Sequence, residues 1–402
     1  MSRVLSLLVA LCLWASAAAS QELSALARID LSRSEITDKG RGVAIDLVLS
    51  HPVPYRVFTL DAPPRFVVDF NEVSWAGVSA EDLDRADRVL SLRTGPFRPG
   101  WSRMVLELDG PLALSEAALE TDDEVRLRLT LAPVSPEEFA ARSGAPREAR
   151  VLPEASTMPA IPRRQSGERR IVVVLDPGHG GIDPGAEHHG GREADLMLGF
   201  ARELKEVLLR AGGFDVVLTR EEDVFVPLEA RVSIARAASA DVFISLHADA
   251  LAEGRATGAT IYTLSEKATD LASQRLAERH DREDLLAGVD LSDHDDEVAT
   301  ILMDLARAET DPRSDRLADA LVKGLRDSIG RLHKRPRLEA GFSVLKAPDM
   351  PSVLIELGFM SSRRDFANLQ NPEWRQRAAE GILNALADWA REDAAEAGLL
   401  RR

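Results

Sequence analysis

The sequence predicts a multidomain protein, with an N-terminal β-sandwich followed by a C-terminal open α/β sheet of mixed strand direction. Short apolar runs without helical patterns between them occupy about residues 26–132, and such runs favour a sandwich. A stretch rich in Pro and Arg comes next, as is typical of a connection between domains. From Ile171 onwards, apolar strands alternate with helical patterns, as in sheets that are covered by helices.

Residues 1–20 have the pattern of a secretory signal peptide. An apolar stretch from Val4 to Trp14 follows a single positive charge and precedes a run of small residues. This stretch is too short to span a bilayer, so we expect cleavage after Ala19 or Ser20. Cys12, the only cysteine, would be removed with it. The mature chain would then have no disulfides and would bind any metal through nitrogen and oxygen ligands.

Length and charge limit the classes of partner. The 402 residues are enough for two domains with separate cores. The formal charge of -16 disfavours a general affinity for nucleic acid or for an anionic membrane. After the signal peptide no apolar stretch reaches the length of a transmembrane helix, so we expect no transmembrane segment.

Alternating apolar residues define the N-terminal domain, which we place at residues 21–133. The run from Val125 to Leu131 alternates strictly, as expected for a strand with one buried face. Residues 134–169 contain several prolines, few aromatics and no sustained periodicity. Their composition predicts a flexible linker.

The most informative stretch is IVVVLDPGHGG, at residues 171–181. A β-branched run that stops at a Gly/Pro cluster is the pattern of a buried strand ending in a tight loop. This places His179 at the carboxyl end of a strand, where ligands gather in open α/β sheets. A second such run, DVFISLHAD, contains His247, and a third, PSVLIELGFM, contains Glu356. We also predict a strand at residues 342–345, shortly before the third run.

A fourth polar residue, Glu193, follows two glycines and opens an apolar pattern at helical spacing, so we place it in the first turn of a helix. Taken alone, each residue has a structural explanation, such as a hydrogen-bonded histidine or a glutamate that favours the helix dipole. Together, His179, His247 and Glu193 are the usual ligand set of a catalytic zinc site with a fourth position for water. Glu356 would then accept the proton of that water.

The motifs DPGHGG, GGREADLML, LEARVSIA, SLHADA and SVLIELGFM occur in the order found in zinc-dependent N-acetylmuramoyl-L-alanine amidases. The chain most resembles the AmiC/AmiB type of Gram-negative cell-division amidase. The resemblance implies Zn²⁺ bound by His179, Glu193 and His247, with Glu356 as the catalytic glutamate. It also implies hydrolysis of the amide bond between N-acetylmuramic acid and L-alanine of the stem peptide. We expect the catalytic domain at residues 170–392 and a tail at 393–402.

YRVFTLDAPPRFVVDF, in the N-terminal domain, resembles the AMIN domain that precedes the catalytic domain in these amidases. In that family the AMIN domain binds peptidoglycan and helps to place the enzyme at the septum. The resemblance therefore implies a periplasmic protein that acts in daughter-cell separation. The alternative for this domain is a folding or spacer unit.

A charged helical insertion at about residues 265–314 is longer than a connection within a compact sheet needs. In the amidases that this chain resembles, the segment is a regulatory helix that covers the zinc, and a partner with a LytM domain displaces it. This implies autoinhibition, with Glu278 and Glu283 as candidate inhibitory ligands. His280 and His294 can also bind a metal. The alternative is an ordinary solvated helix face.

Arg220 and Arg231 are candidates for orienting anionic groups of the substrate, although helix capping or buried pairing explains them as well. Without the resemblance, the site implies only metal-assisted hydrolysis of an amide or ester. Two further functions stay open. One is a zinc carboxypeptidase acting on wall peptides, and the other is an inert peptidoglycan-binding regulator. The regulator predicts a lost ligand, whereas all four functional positions are filled.

Overall fold

The computed structural model of the protein describes residues 26–400, apart from the following positions: 72, 99, 122–123, 147–163, 189, 251–255, 266, 287–296 and 348. The predicted signal peptide, the middle of the predicted linker, His294 and the side chain of Glu283 lie outside the described residues.

The N-terminal domain contains two four-stranded antiparallel sheets, which confirms the predicted β architecture. The sheets have the strand orders β2-β3-β10-β9 and β4-β5-β8-β7, and the short strands β1 and β6 pair separately. The strands are β1 Ala27–Arg28, β2 Glu35–Lys39, β3 Gly42–Leu49, β4 Tyr55–Leu60, β5 Arg65–Asn71, β6 Val73–Ser74, β7 Val89–Arg98, β8 Trp101–Leu108, β9 Leu112–Glu120 and β10 Val125–Pro133. A short helix, α1, spans Ala80–Leu83.

Strict alternation in β10 produces one buried face. Leu127, Leu129 and Leu131 are nearly inaccessible to solvent and pair with Leu47, Ile45 and Val43 of β3. Alternate side chains of a strand point to opposite faces, so these residues join the apolar core formed with the second sheet. Each such buried side chain contributes about 1.5–3 kcal/mol relative to an exposed one.

Both described ends of the predicted linker are ordered. Helix α2, Pro136–Arg142, begins at Ser135, whose hydroxyl accepts a hydrogen bond from the Glu138 amide. Its Phe139 is buried. At the other end, Gln165 is buried and donates to Asp393 near the carboxyl terminus. These ends therefore pack onto the protein.

The C-terminal domain contains a six-stranded sheet of order β14-β11-β15-β18-β16-β17. The neighbours β14, β11, β15 and β18 are parallel, whereas β16 runs antiparallel to β18. This confirms the predicted mixed sheet. The strands are β11 Ile171–Pro177, β14 Phe214–Leu218, β15 Val242–His247, β16 Ala259–Leu264, β17 Leu332–Ala340 and β18 Ser352–Glu356, and a small hairpin consists of β12 Glu187–His188 and β13 Gly191–Arg192.

The strand predicted at residues 342–345 is wrong. Ser343–Leu345 form one turn of 3-10 helix, and the sixth strand is β17. Phe342, Val344 and Leu345 are buried in a cluster on the sheet, which explains their apolar character without a strand.

Helices cover the sheet and build the larger part of the apolar core. They are α3 Glu193–Ala211, α4 Leu228–Ala237, α5 Leu271–Leu286, α6 Glu297–Ile329, α7 Arg363–Gln370 and α8 Pro372–Leu400. Helix α8 continues beyond the boundary predicted at residue 392, because Asp393 is fully buried against Arg313 and Arg164. Among the helices described, none combines the length and apolar character needed to cross a bilayer.

Candidate metal centre and active site

Three adjacent strands bring the predicted site residues to one edge of the sheet. Strands β11, β15 and β18 are parallel, and His247 at the end of β15 is in register with Glu356 at the end of β18. His179 lies in the loop that follows β11 and is buried. Its backbone has φ 59°, in the left-handed region that non-glycine residues rarely adopt. Such strain persists where the surrounding structure enforces it, as at functional sites.

Glu193 joins the two histidines. Its carboxylate is fully buried, and Oε1 lies 3.3 Å from Nε2 of His179 and 3.0 Å from Nδ1 of His247. The amides of Ala248 and Ala186 donate to Oε1 and Oε2. Ligands at about 2.0–2.1 Å from a tetrahedral zinc ion lie roughly 3.3 Å apart. Oε1 of Glu193 therefore lies from one nitrogen of each histidine at a separation that fits two ligands of a shared divalent metal.

A carboxylate that the sequence analysis did not single out orients His179. Asp183 Oδ2 lies 2.7 Å from Nδ1 of His179, and Oδ1 accepts the Gly185 amide. A carboxylate on the far nitrogen of a ligating histidine fixes its tautomer and ring orientation. With Nδ1 bound to Asp183, Nε2 is the nitrogen that faces Glu193.

The protonation states of the three predicted ligands depend on their burial and on their contacts with neighbouring charged groups. Burial disfavours a charged His179, but the carboxylates of Asp183 and Glu193 outweigh it and raise the pKa of His179. Against the effect of burial, the histidines lower the pKa of Glu193. Burial and the neighbouring His280 lower the pKa of His247 to about 4. At neutral pH, Glu193 is therefore ionised and His247 neutral, which are the forms that bind a metal, whereas the raised pKa of His179 means that a metal must displace its proton.

Arg220 and Arg231 are both buried, and they bind the loop that carries His179. Arg220 donates to the carbonyls of Gly178 and Ala194, and Arg231 donates to the His179 carbonyl and to Asp176. Burial lowers the pKa of Arg220 to about 10, so it stays charged at neutral pH. The structure favours buried pairing, one of the alternatives that the sequence left open, over contact with substrate.

Glu356 is a buried carboxyl group with one oxygen committed to the protein. Oε2 accepts the Asp249 amide at 3.0 Å, whereas Oε1 has no hydrogen-bond partner among the described residues. Burial, followed by the charges of Asp249 and Glu193, raises the pKa of Glu356 well above its usual range. A carboxyl group in this environment takes up a proton more readily than a solvated one, which is a property of general acids and bases in active sites.

Helix α5 lies over the centre through His280. This histidine is buried, and its ring centroid lies 4.3 Å from that of His247 and 5.6 Å from that of His179. One nitrogen from each of the three rings lies within 4.8 Å of the others. Glu278, in contrast, is exposed and accepts a hydrogen bond from Gln274. Of the candidates whose side chains are described, His280 and not Glu278 lies at the centre.

Asp249, which the sequence analysis also missed, anchors this helix. Its Oδ1 accepts a charged hydrogen bond from Arg279 at 2.6 Å, and its Oδ2 lies 3.2 Å from Nε2 of His280. Arg279 also donates to the Ala250 carbonyl at 2.8 Å. One residue further along the helix, Asp281 accepts the Ser343 amide. Three consecutive helix residues therefore fasten α5 to the strand ends.

Residues 173–388 match the N-acetylmuramoyl-L-alanine amidase family, and residues 33–131 match the AMIN domain. The chain is 35% identical over 344 residues to N-acetylmuramoyl-L-alanine amidase AmiC of Escherichia coli O6:H1, covering 82% of each chain. The chain belongs to the N-acetylmuramoyl-L-alanine amidase family. This amidase is also 35% identical over 349 residues to AmiC of Neisseria meningitidis serogroup B, covering 83% of each chain. It is 37% identical over 228 residues to AmiA of Salmonella typhimurium, covering 56% of this chain and 78% of AmiA.

In this amidase, α5 leaves little room beside the centre. A cavity of about 20 Å³ is lined by His179, His247, His280 and their neighbours. This volume corresponds to roughly one water molecule. A glycan strand with its stem peptide is far larger than this cavity.

Proposed function

We propose that this amidase hydrolyses the bond between the lactyl group of N-acetylmuramic acid and L-alanine of the stem peptide in peptidoglycan. The observation that carries the proposal is the meeting of His179, Glu193 and His247 in one buried cluster, with the carboxyl group of Glu356 at the neighbouring strand end. Membership of the family supports the substrate.

His179, Glu193 and His247 would hold Zn²⁺, in keeping with their buried nitrogen and oxygen donors. When bound, zinc acidifies a water molecule and polarises the scissile carbonyl. Gly178 preserves the space for this ligand set, because a Cβ at that position would lie 2.2 Å from Cε1 of His247. Asp183 and the backbone contacts of Arg231 hold His179 in its strained conformation.

Glu356 would accept the proton of the attacking water and return it to the leaving amine of L-alanine. The Asp249 amide fixes Oε2, so that Oε1 is the oxygen available for proton transfer. Burial and nearby carboxylates favour the protonated acid, whereas a divalent cation beside it favours the ionised base. These opposing influences on Glu356 suit a group that acts first as a base and then, once protonated, as an acid.

Autoinhibition is part of the proposal. With α5 in place, a ring nitrogen of His280 lies within 4.8 Å of nitrogens of His179 and His247, so His280 would compete with water for a metal held by these residues. We assign to His280 the inhibitory role for which Glu278 was a candidate, while the side chain of the other candidate, Glu283, lies outside the described residues. An activator with a LytM domain would bind the form in which α5 is displaced and so shift the population towards it.

The AMIN domain would bind peptidoglycan and position the enzyme at the division site, where hydrolysis separates daughter cells. This role requires export, so we place the protein in the periplasm, with residues 1–20 as its signal peptide. The family of the N-terminal domain supports the assignment.

Digestion of purified sacculi by the His280→Ala variant, followed by mass analysis of the soluble products, tests the proposed chemistry. We expect intact stem peptides that begin with a free L-alanine amine, and no release after zinc has been removed with a chelator. The His280→Ala/Glu356→Gln double variant serves as the inactive control. Peptides that lose only their C-terminal residues would instead identify a carboxypeptidase.

A further inference from the structure

The N-terminal domain packs directly on the loop that follows the metal ligand His179. The Ile182 amide donates to the Pro96 carbonyl of β7 at 3.0 Å. At Gly95 the two backbones touch, since a Cβ there would lie 2.7 Å from the Ile182 Cα. Phe97 stacks on Phe225 of the catalytic domain, with ring centroids 5.7 Å apart and an interplanar angle of 17°. These contacts form a specific interface between the domains.

One ion pair of this interface reaches the metal centre. Arg93 of β7 donates to Oδ1 of Asp183 at 3.2 Å, and Oδ2 of the same carboxylate lies 2.7 Å from Nδ1 of His179. The side chain of Asp183 is only 5% exposed, and that of Arg93 is 19% exposed. A single buried carboxylate therefore connects the N-terminal domain with a metal-binding imidazole.

Other residues of the N-terminal domain hold the part of β7 that contacts the catalytic domain. The guanidinium of Arg103 lies 3.4 Å from the ring centroid of Phe97 and is fixed by a buried ion pair with Asp69. Phe97 packs in one apolar cluster with Ile182 and Phe225. Because Phe97 is held from both sides, β7 presents a rigid surface to the loop of residues 180–183.

We propose that packing of the N-terminal domain on the loop after His179 helps to maintain the geometry of the metal centre, in addition to any binding of the cell wall. β7 holds the loop after His179, and Arg93 acts as a positioning residue that orients His179 through Asp183. This inference rests on the proposed role of His179 as a metal ligand. Coupling between two sites is reciprocal, so a bound metal also stabilises the docked arrangement of the domains.

Zinc affinity of the full-length protein tests this inference. Arg93→Met removes the ion pair, and Gly95→Val introduces a side chain that collides with the loop backbone. Competition with a chromophoric chelator should show about tenfold weaker zinc binding in each, as for other outer-shell partners of metal ligands. The visible spectrum of the Co²⁺-substituted protein should change as well. Arg93→Lys, which keeps the charge, should recover most of the affinity.

Two variants of the same domain are matched controls. Arg88→Met removes an ion pair with Asp109, and Gly110→Val adds a side chain where the nearest atom is 3.9 Å from the new Cβ. Both should bind zinc like the wild type. Wild-type affinity in Arg93→Met and Gly95→Val would overturn the inference and leave the proposed function intact. A wild-type chain that binds no stoichiometric zinc would overturn both. If Gly95→Val fails to fold, Arg93→Met decides the question alone.

Discussion

Replacement of Arg279 by methionine should partly open the amidase without an activator. In the closed form, Arg279 binds the Asp249 carboxylate at 2.6 Å and the Ala250 carbonyl at 2.8 Å, and its side chain is 38% exposed. Hydrogen bonds to charged groups contribute about 1.5–3 kcal/mol when shielded, and exposure of this guanidinium reduces the figure to about 1–2 kcal/mol. Once α5 is displaced, water solvates Arg279. The substitution therefore removes stabilising free energy from the closed form alone.

A loss of one or two kcal/mol corresponds to a change of about 5- to 30-fold in an equilibrium constant. The initial rate of dye release from labelled sacculi should therefore rise by that factor in Arg279→Met. Arg275→Met is the matched control, since Arg275 is an exposed arginine on the same helix. The reasoning is refuted if Arg279→Met and His280→Ala retain zinc and still hydrolyse sacculi at the wild-type rate.

Three further predictions concern proton transfer, ligand geometry and stability. In the opened His280→Ala protein, the additional change Glu356→Gln keeps the side-chain shape but cannot accept a proton, so hydrolysis of sacculi should fall by about 10²–10⁴-fold at unchanged zinc content. Gly178→Ala places a Cβ 2.2 Å from Cε1 of His247, and calorimetric titration should show zinc binding weakened by about tenfold or more. Asp393→Asn leaves Arg313 buried without its charge partner, and should cost about 3 kcal/mol in denaturant unfolding at neutral pH.

The destabilisation caused by Asp393→Asn should depend on pH. Burial alone would raise the pKa of Asp393, but Arg313 outweighs it and lowers that pKa. The stabilisation is therefore complete above the unfolded pKa of about 3.9 and is lost as pH falls through the lower folded value. A destabilisation that persists unchanged at acid pH would contradict this pairing. Likewise, wild-type zinc affinity in Gly178→Ala, or substantial turnover by His280→Ala/Glu356→Gln, would contradict the roles assigned at the centre.

The strand ends of the site could be predicted because parallel strands meet at one edge of a sheet. His179, His247 and Glu356 each follow an apolar run, and that placement alone predicts their proximity. Asp183 and Asp249 could not be found in this way. Their roles depend on which nitrogen of His179 faces inward and on where α5 packs, and neither is encoded in a local pattern.

The proposed inhibitory residue, His280, illustrates the same limit. Positions 278 and 280 lie about 200° apart around a helix, so Glu278 faces solvent when His280 faces the centre. Sequence identifies the helix but not the side that it turns towards the sheet. Strand β17 was missed for another reason. It lies at the sheet edge and contains a proline and several charges, which edge strands tolerate and central strands do not.

Removal of α5 tests whether this helix keeps the amidase inactive. Residues 267–311 are replaced by a short linker, after which the remainder of α6 would start at Pro312, a residue that suits the first helical turn. Sacculi are then digested with this variant and with the full-length chain, and the released peptides are weighed. We expect rapid release of intact stem peptides by the shortened, zinc-loaded form and little release by the full-length form. Equal rates for the two forms, or no cleavage by either while both bind zinc, would contradict this expectation.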